Sequence, residues 1–414
     1  MKALRFGLCL LLLFGVAAHG AVEVWSESVV EIGAALLLLL WIVLAATKSE
    51  REIEWNPLNW PLLGFCGLAL IQLAFHSSVY AFLTHTELVR VGSCWIFFFL
   101  ATQAFRKRSD FQMLAWFVVT MCFAVSLFAI VQYFTSQDEI YWFRQTASGV
   151  KPFGPYVNRN HFAGFVELTL PTGLAMLALR GVKREVFPLV ILLTIVPISA
   201  IVLSASRGGI IGLALAICTV IGIRLFGAKA RRPPLRTVAV VAAAAMALIA
   251  WVGVGNAVAR FAPTGASGIS YARRASMVRG ALHVFLAHPV SGAGLGTVVA
   301  AYPRYETMYD GKLVDHVHND YAEALADTGL IGAALGILFL FFLFRNALRN
   351  LSAEQGNFST ALHAGALASV VALLFHSFFD FNLHILSNAL LFLMQAMLAT
   401  AGPVPSAQSR RAET

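Results

Sequence analysis

The sequence predicts an all-α polytopic membrane protein with about 12 transmembrane helices and one long outer loop containing short interfacial helices. Three observations carry that reading. Hydrophobic residues make up 59% of the 414 residues and charged residues 12%, against roughly 45–50% and about 25% in soluble domains. Apolar stretches near the ~20 residues needed to cross a hydrocarbon core recur along the chain. Lys and Arg collect on alternate connections, the bias that sets membrane topology. No water-soluble fold of this length would hide so much apolar surface. A cytosolic enzyme, a secreted disulfide scaffold and a disordered chain are therefore excluded. The net charge of +9 reads as a topology signal, and no nucleic-acid partner is expected.

The predicted spans are roughly 4–19, 28–47, 57–76, 87–105, 111–134, 161–179, 186–205, 208–226, 237–255, 328–344, 358–377 and 384–401. With a cytoplasmic N-terminus, the inner connections hold 19 of 30 basic and 7 of 21 acidic residues. Both termini are thus expected in the cytoplasm. The first span has a second reading as a secretory signal: Lys2 and Arg5, then Leu8–Val16, then small residues from Ala17 to Ala21. Cleavage there would leave eleven spans and the same sidedness.

The pattern divides the chain into residues 1–134 (helices 1–5), 135–255 (helices 6–9 with a preceding outer segment), 256–327 (a long outer loop), 328–405 (helices 10–12) and a 406–414 cytoplasmic tail, polar and read as disordered. A loop as long as 256–327 in a compact protein is usually functional. Within it, Met277, Ala281, Leu282 and Phe285 recur at helical spacing, predicting a helix near the interface over Ser270–His288. Cys9, Cys66, Cys94, Cys122 and Cys218 lie far apart in apolar stretches without a C-x-x-C pair, so they read as packing residues.

All histidines except His363 fall on the outer side or at outer span ends. Eight arginines gather there too, against the positive-inside tendency: Arg144, Arg159, Arg207, Arg260, Arg273, Arg274, Arg279 and Arg304. An anionic ligand would explain them, because Arg forks match phosphate oxygens. Solvated loop charge and lipid-headgroup contact are the plainer reading for most. Arg207 differs, sitting between two spans with almost no loop, where an ionisable group is functional by default.

His316-Val317-His318-Asn319-Asp320-Tyr321 closes the long loop. H-x-H is a weak metal signature; a neutral histidine taking a proton from a hydroxyl nucleophile is the preferred reading. No metal and no cofactor is expected. Gly292, Gly294 and Gly296 read as turn residues rather than a phosphate loop. Asn160 and His161 open a span and are candidates to line a sugar pocket, alongside plain helix-start packing. Glu167 is expected to pair inside the protein. His376 and Asp380, four apart, read as a structural pair, and Phe339–Phe344 as lipid-facing packing.

The segment His318-Asn319, nine residues, then Gly329-Leu330-Ile331-Gly332 resembles the H-[NSQ]-x9-G-x-x-[GTY] motif of bacterial O-antigen ligases and pilin oligosaccharyltransferases. About 0.01 such matches are expected by chance at this composition. Four more landmarks agree in order with the wider O-antigen ligase and polymerase superfamily: Gly154–Gly164, Ser206-Arg207-Gly208, Arg274 leading to His288–Gly296, and His376–Asn382. The resemblance covers about residues 150–395, and the first five spans match only in character. One departure is Val278, where the family often has Trp a turn after the loop arginine.

The resemblance implies a glycosyltransferase of the bacterial inner membrane, with its site facing the periplasm. It implies a donor glycan on undecaprenyl pyrophosphate and an acceptor hydroxyl, either on lipid A–core (ligase) or on a glycan (polymerase), with membrane lipids around it. It also implies inverting, metal-independent chemistry, with His318 as base and Arg207, Arg274 and, less firmly, Arg279 on the pyrophosphate. Asn319 is expected to orient the histidine or the acceptor. His316, Asn160 and His161 are further substrate-binding candidates. A transporter of lipid-linked glycans is the rival class, but its site would be expected near the membrane midplane.

Overall fold

Inside hydrocarbon every backbone N–H and C=O must be paired within its own segment, so long apolar runs fold as helices. The computed structural model describes residues 1–47, 52–136, 138–146, 152–226, 271–309, 311–353 and 356–402. Among these, the helices are α1 (Lys2–Ala17), α2 (Val24–Ala46), α3 (Asn59–Ala74), α4 (Ala81–Ala104), α5 (Arg108–Thr135), α6 (Arg159–Ala178), α7 (Phe187–Leu203), α8 (Arg207–Phe226), α9 (Tyr271–Ala287), α10 (Val298–Ala301), α11 (Asp320–Ala353), α12 (Asn357–His376) and α13 (Leu386–Thr400). No strand occurs among the described residues. Every predicted span coincides with one of these helices except 237–255, which lies outside the described residues together with Arg260 and the 406–414 tail.

Among the described residues, seven helical segments are long and apolar enough to cross a membrane: α2, α5, α6, residues 184–203 (containing α7), α8, α11 and α12. Helices α3 and α13 are shorter apolar ones. Their packing is graded. Helices α6 and α12 form the centre, while α2 turns Leu36, Leu39, Ile42 and Val43 outward. Small residues set the close approach of the central helices, as expected where apolar burial gives helices no drive to associate. A Cβ on Gly365 of α12 would lie 2.7 Å from the Thr172 Cα of α6. Glu167 of α6 pairs with His376 of α12 (2.9 Å), the internal partner expected for it. The run Phe339–Phe344 divides: Phe341 is exposed, but Phe339 and Leu343 are buried. A helix turns its residues through every direction, so the run could not face lipid throughout.

The bundle has two polar ends. At one, Arg5 of α1 pairs with Asp110 of α5, and Asn56 donates to Thr400 (2.8 Å). The other end carries residues 271–309 and 311–319 and the landmarks 154–164 and 376–382. There Gln132 donates to the Gly154 carbonyl (2.7 Å) and Tyr156 to Asn388 (3.0 Å).

Helix α11 starts before the predicted span at 328, because Asn319 caps it: its Oδ1 accepts from the Ala322 N–H at 2.8 Å. The helix then breaks at Gly329 (φ 61°, ψ −158°). The backbone groups freed by the break are paired by the 289–294 loop. Ala293 and Gly294 donate to the carbonyls of Ala326 (2.8 Å) and Asp327 (3.1 Å), while Leu330 and Ile331 donate to Pro289 (2.9 Å) and Val290 (3.1 Å). Gln72 of α3 donates to the Asp327 and Ser291 carbonyls at 3.0 and 2.6 Å. Gly292, Gly294 and Gly296 have φ of 75°, 124° and 75°, the turn residues expected.

A Cβ at Gly329 would lie 2.5 Å from the Gly292 nitrogen and the Val290 oxygen, both immobile backbone. Gly329→Ala should therefore destabilise by about 1–3 kcal/mol. Gly336→Ala, in the same helix with nothing within 4 Å, should be neutral or stabilising. Thermal unfolding of the two variants in detergent checks this contrast; equal melting temperatures would mean that the interlock contributes nothing.

Candidate active site

Helix α9 forms where the apolar spacing predicted it, and its two faces have different surroundings. Met277, Ala281 and Val284 pack with Tyr302, Val317, Ala322 and Ala326 in a small core apart from the main one. Arg273 is fixed on the same side by Glu306 (2.9 Å). The remaining face presents Arg274, Ala275, Val278, Arg279 and Leu282 to a cavity of about 410 Å³, closed by His318, Phe378 and Phe379. The structure thus brings together His318, Arg274 and Arg279, three of the residues that the resemblance assigns to one site. Val278, where the family often has Trp, is part of the lining.

His318 has φ 53°, a left-handed conformation uncommon for a residue with a side chain. Two contacts hold its ring. Its Nδ1 lies 3.1 Å from Asp380 Oδ1, and the ring meets Phe381 edge-on at 4.9 Å between centroids. With Nδ1 engaged, Nε2 is the nitrogen left for chemistry. Asp380 is fully buried and also accepts from Asn160 Nδ2 and from the Phe381 N–H (3.0 Å). His161 Nε2 stands 3.8 Å away. Burial alone would raise the Asp380 carboxyl. The hydrogen bond with His318 and the charge of His318 and His161 outweigh burial and hold it well below its ordinary value.

Several expectations change. Asp380 does not pair with His376 through its side chain; it serves His318, while His376 turns to Glu167. Asn160 and His161 address Asp380 rather than the cavity lining. Asn319 does not bond His318: its amide donates to the Phe378 carbonyl (3.0 Å) and its oxygen caps α11. Arg207 is exposed at the start of α8 and does not line the cavity. Its neighbour Gly208 abuts the His376 ring, where a Cβ would come within 2.5 Å.

His316 also turns away from the cavity, into a second cluster that sequence reasoning missed. Its Nδ1 is 2.6 Å from Glu323 Oε1, and its ring stacks on Phe381. His384 Nδ1 is 2.9 Å from Asp320, and its Nε2 3.4 Å from Glu323. Asp320, Glu323 and Asp327 repeat at helical spacing, the signal that could have revealed an inward acidic stripe within the supposed loop. Of the described residues, His316, Glu323 and His384 have donor atoms all within 4.8 Å, close enough to hold a metal ion. Glu323 already accepts from the Val317 N–H at 3.0 Å as well as meeting His316.

Residues 190–337 match the family model described as O-antigen ligase, about a third of the chain. The match supports the O-antigen ligase superfamily. It supports a membrane glycosyltransferase activity of ligase or polymerase type. The matched segment runs from α7 into α11 and includes Arg207, Arg274, Arg279, His316, His318 and Asn319. Asp380, His161 and Asn160, which complete the candidate site around His318, lie outside it. No curated protein matches the chain.

Burial alone would lower His384, but the charge of Glu323 and the hydrogen bond to Asp320 outweigh it and raise the imidazole to about 9. This raised group stabilises the fold fully below its ordinary value near 6.5, and that stabilisation is lost as pH rises through about 9. Wild type should melt above His384→Gln at neutral pH, with the gap closing between about pH 7 and 10. A pH-independent gap would show that the cluster does not titrate in this way.

Proposed function

We propose that the protein transfers a glycan from undecaprenyl pyrophosphate to an acceptor hydroxyl at the periplasmic face of the bacterial inner membrane, with a lipid A–core sugar as acceptor. One observation carries this: a histidine fixed by a buried carboxylate faces two arginines across a single cavity.

The chemistry follows from that arrangement. The acceptor oxygen attacks the anomeric carbon while His318 Nε2 takes its proton. The bond from that carbon to the pyrophosphate oxygen breaks, and the electron pair leaves with the lipid pyrophosphate. Negative charge therefore grows on an oxygen at the arginine side, where Arg274 and Arg279 stabilise it without reorganising. Attack opposite the leaving group inverts the anomeric centre. Asp380 keeps the imidazole in one orientation and balances the imidazolium that forms, the role of a third group behind a general base. Leu282, Phe378 and Phe379 give the cavity an exposed apolar margin suited to a prenyl chain. Arg207 remains a candidate for the distal phosphate at the same end of the bundle.

Transfer by purified protein in detergent, with EDTA present, tests the reading. The protein receives undecaprenyl-pyrophosphate glycan with rough lipopolysaccharide or with glycan alone. Product on lipid A–core is expected, with a loss of about 10²–10⁴-fold or more in His318→Ala. Longer glycan without lipid A–core would make the protein a polymerase by the same chemistry. No transfer at all would favour a transporter, and abolition by EDTA would refute the arginine clamp. Asp380→Asn should lower kcat by at least about tenfold with little change in donor KM, whereas Arg274→Gln should also raise donor KM.

A further inference from the structure

A second cavity, about 520 Å³, lies at the opposite end of the bundle. It opens between the start of α5, the residues joining α6 to α7, and the start of α12. Arg108, Arg180 and Lys183 line it, with Trp116, Val186 and Phe358 forming an apolar wall. None of its described lining residues is acidic. Asp110, in the first turn of α5, is engaged by Arg5 and by the Lys107 N–H (3.1 Å). Glu185, in the α6–α7 connection, is exposed and not part of the lining.

Two further features make the cavity electropositive. Helices α5 and α12 both begin here, so the positive ends of two helix dipoles converge. The α12 N-cap is Gly356, which brings no side-chain oxygen to the first-turn N–H groups. The Arg108 guanidinium lies over the Phe358 ring, 5.1 Å from its centroid, holding one cation against the apolar wall. This end carries the excess of Lys and Arg expected on the cytoplasmic side.

We propose that this cavity binds the phosphodiester headgroup of an anionic glycerophospholipid of the cytoplasmic leaflet. Arg108 and Lys183 meet the phosphate oxygens, with Arg180 at the rim. Trp116, Val186 and Phe358 contact the glycerol and the first acyl carbons. That apolar wall favours a lipid over free phosphate, which has no use for it. Basic pockets between helix ends on this side of a membrane suit such headgroups, and the volume lies in the usual ligand-site range of about 300–1,000 Å³. The proposal is read out by binding, so it stands apart from the glycan-transfer reading.

The test uses full-length protein delipidated in neutral detergent. Native mass spectrometry would follow retention of phosphatidylglycerol and phosphatidylcholine, with inorganic phosphate as competitor. Phosphatidylglycerol should be held at least about tenfold more tightly than phosphatidylcholine. R108Q/K183Q should lose one bound phosphatidylglycerol, and R345Q/R349Q, which alters basic residues of α11 outside this lining, should lose none. Equal retention of the two lipids, or an unchanged R108Q/K183Q, would overturn the site. Displacement by equimolar inorganic phosphate would overturn the lipid assignment. If R108Q/K183Q fails to fold, Lys183→Gln alone changes an exposed side chain, and roughly fivefold weaker retention is expected; no weakening would again refute the proposal.

Discussion

The break in α11 is the constraint on which the outer architecture depends. A helix interrupted among buried residues leaves polar backbone groups that would each cost about 1–3 kcal/mol if unpaired. Gly329 interrupts α11 only because the 289–294 loop lies against it and pairs both sides of the gap. Asp327, just before the break, accepts from the N–H groups of Gly296 (2.9 Å) and Thr297 (3.1 Å). The loop is thereby pinned by backbone and side chain together. Helix α9 leads into this loop and Asn319 starts α11, so the interlock sets the distance between the arginine face and His318.

The landmarks that are weak signals one by one meet in pairs. A Cβ at Gly164 would lie 2.2 Å from Asn382 Oδ1, so the glycine opens room for the asparagine of the 376–382 landmark. Asn160 of the first landmark bonds Asp380 of the last. Gly208 makes way for His376, and Gly292 for the backbone at Asp327. In each glycine pair one partner is small because the other must come close. This explains why their ordered set carries information that no single motif does: each is half of a contact.

Much of this was legible in the sequence, for identifiable reasons. The apolar helices were readable because hydropathy is a local property summed over some twenty residues. Helix α9 was readable from its period, and Glu167 from the cost of an unpaired buried carboxylate. The role of Asp380 was not readable, since its partners His318 and Asn160 are 62 and 220 residues away. Spacing of four had pointed instead to His376, which the structure gives to Glu167. The stripe Asp320, Glu323 and Asp327 was hidden by treating 256–327 as loop. The contacts of Asn319 were not readable, because a helix cap and a hydrogen bond to the neighbouring histidine use the same residue type in the same place. Position between two spans marks Arg207 as unusual without saying whether it lines the α9 cavity, which it does not.

The distribution of charge separates two kinds of polar residue at the site end. Carboxylates face the histidines: Asp380 holds His318, while Asp320 and Glu323 hold His384 and His316. The cavity arginines are treated differently. Arg273 is paired with Glu306, but Arg274, one residue on, donates to the Phe379 carbonyl (3.1 Å), and among the described residues no carboxylate pairs with Arg274 or Arg279. One step around a helix, about 100°, turns a structural arginine into one whose charge faces the cavity. A carboxylate there would neutralise the guanidinium, whereas a carbonyl orients it and leaves its charge toward the cavity. The histidine thus has an acid behind it that fixes its ring, and the cavity arginines have none. The sequence achieves both by placing the acids that meet the histidines on α11 and the 380 turn, away from the cavity-facing side of α9.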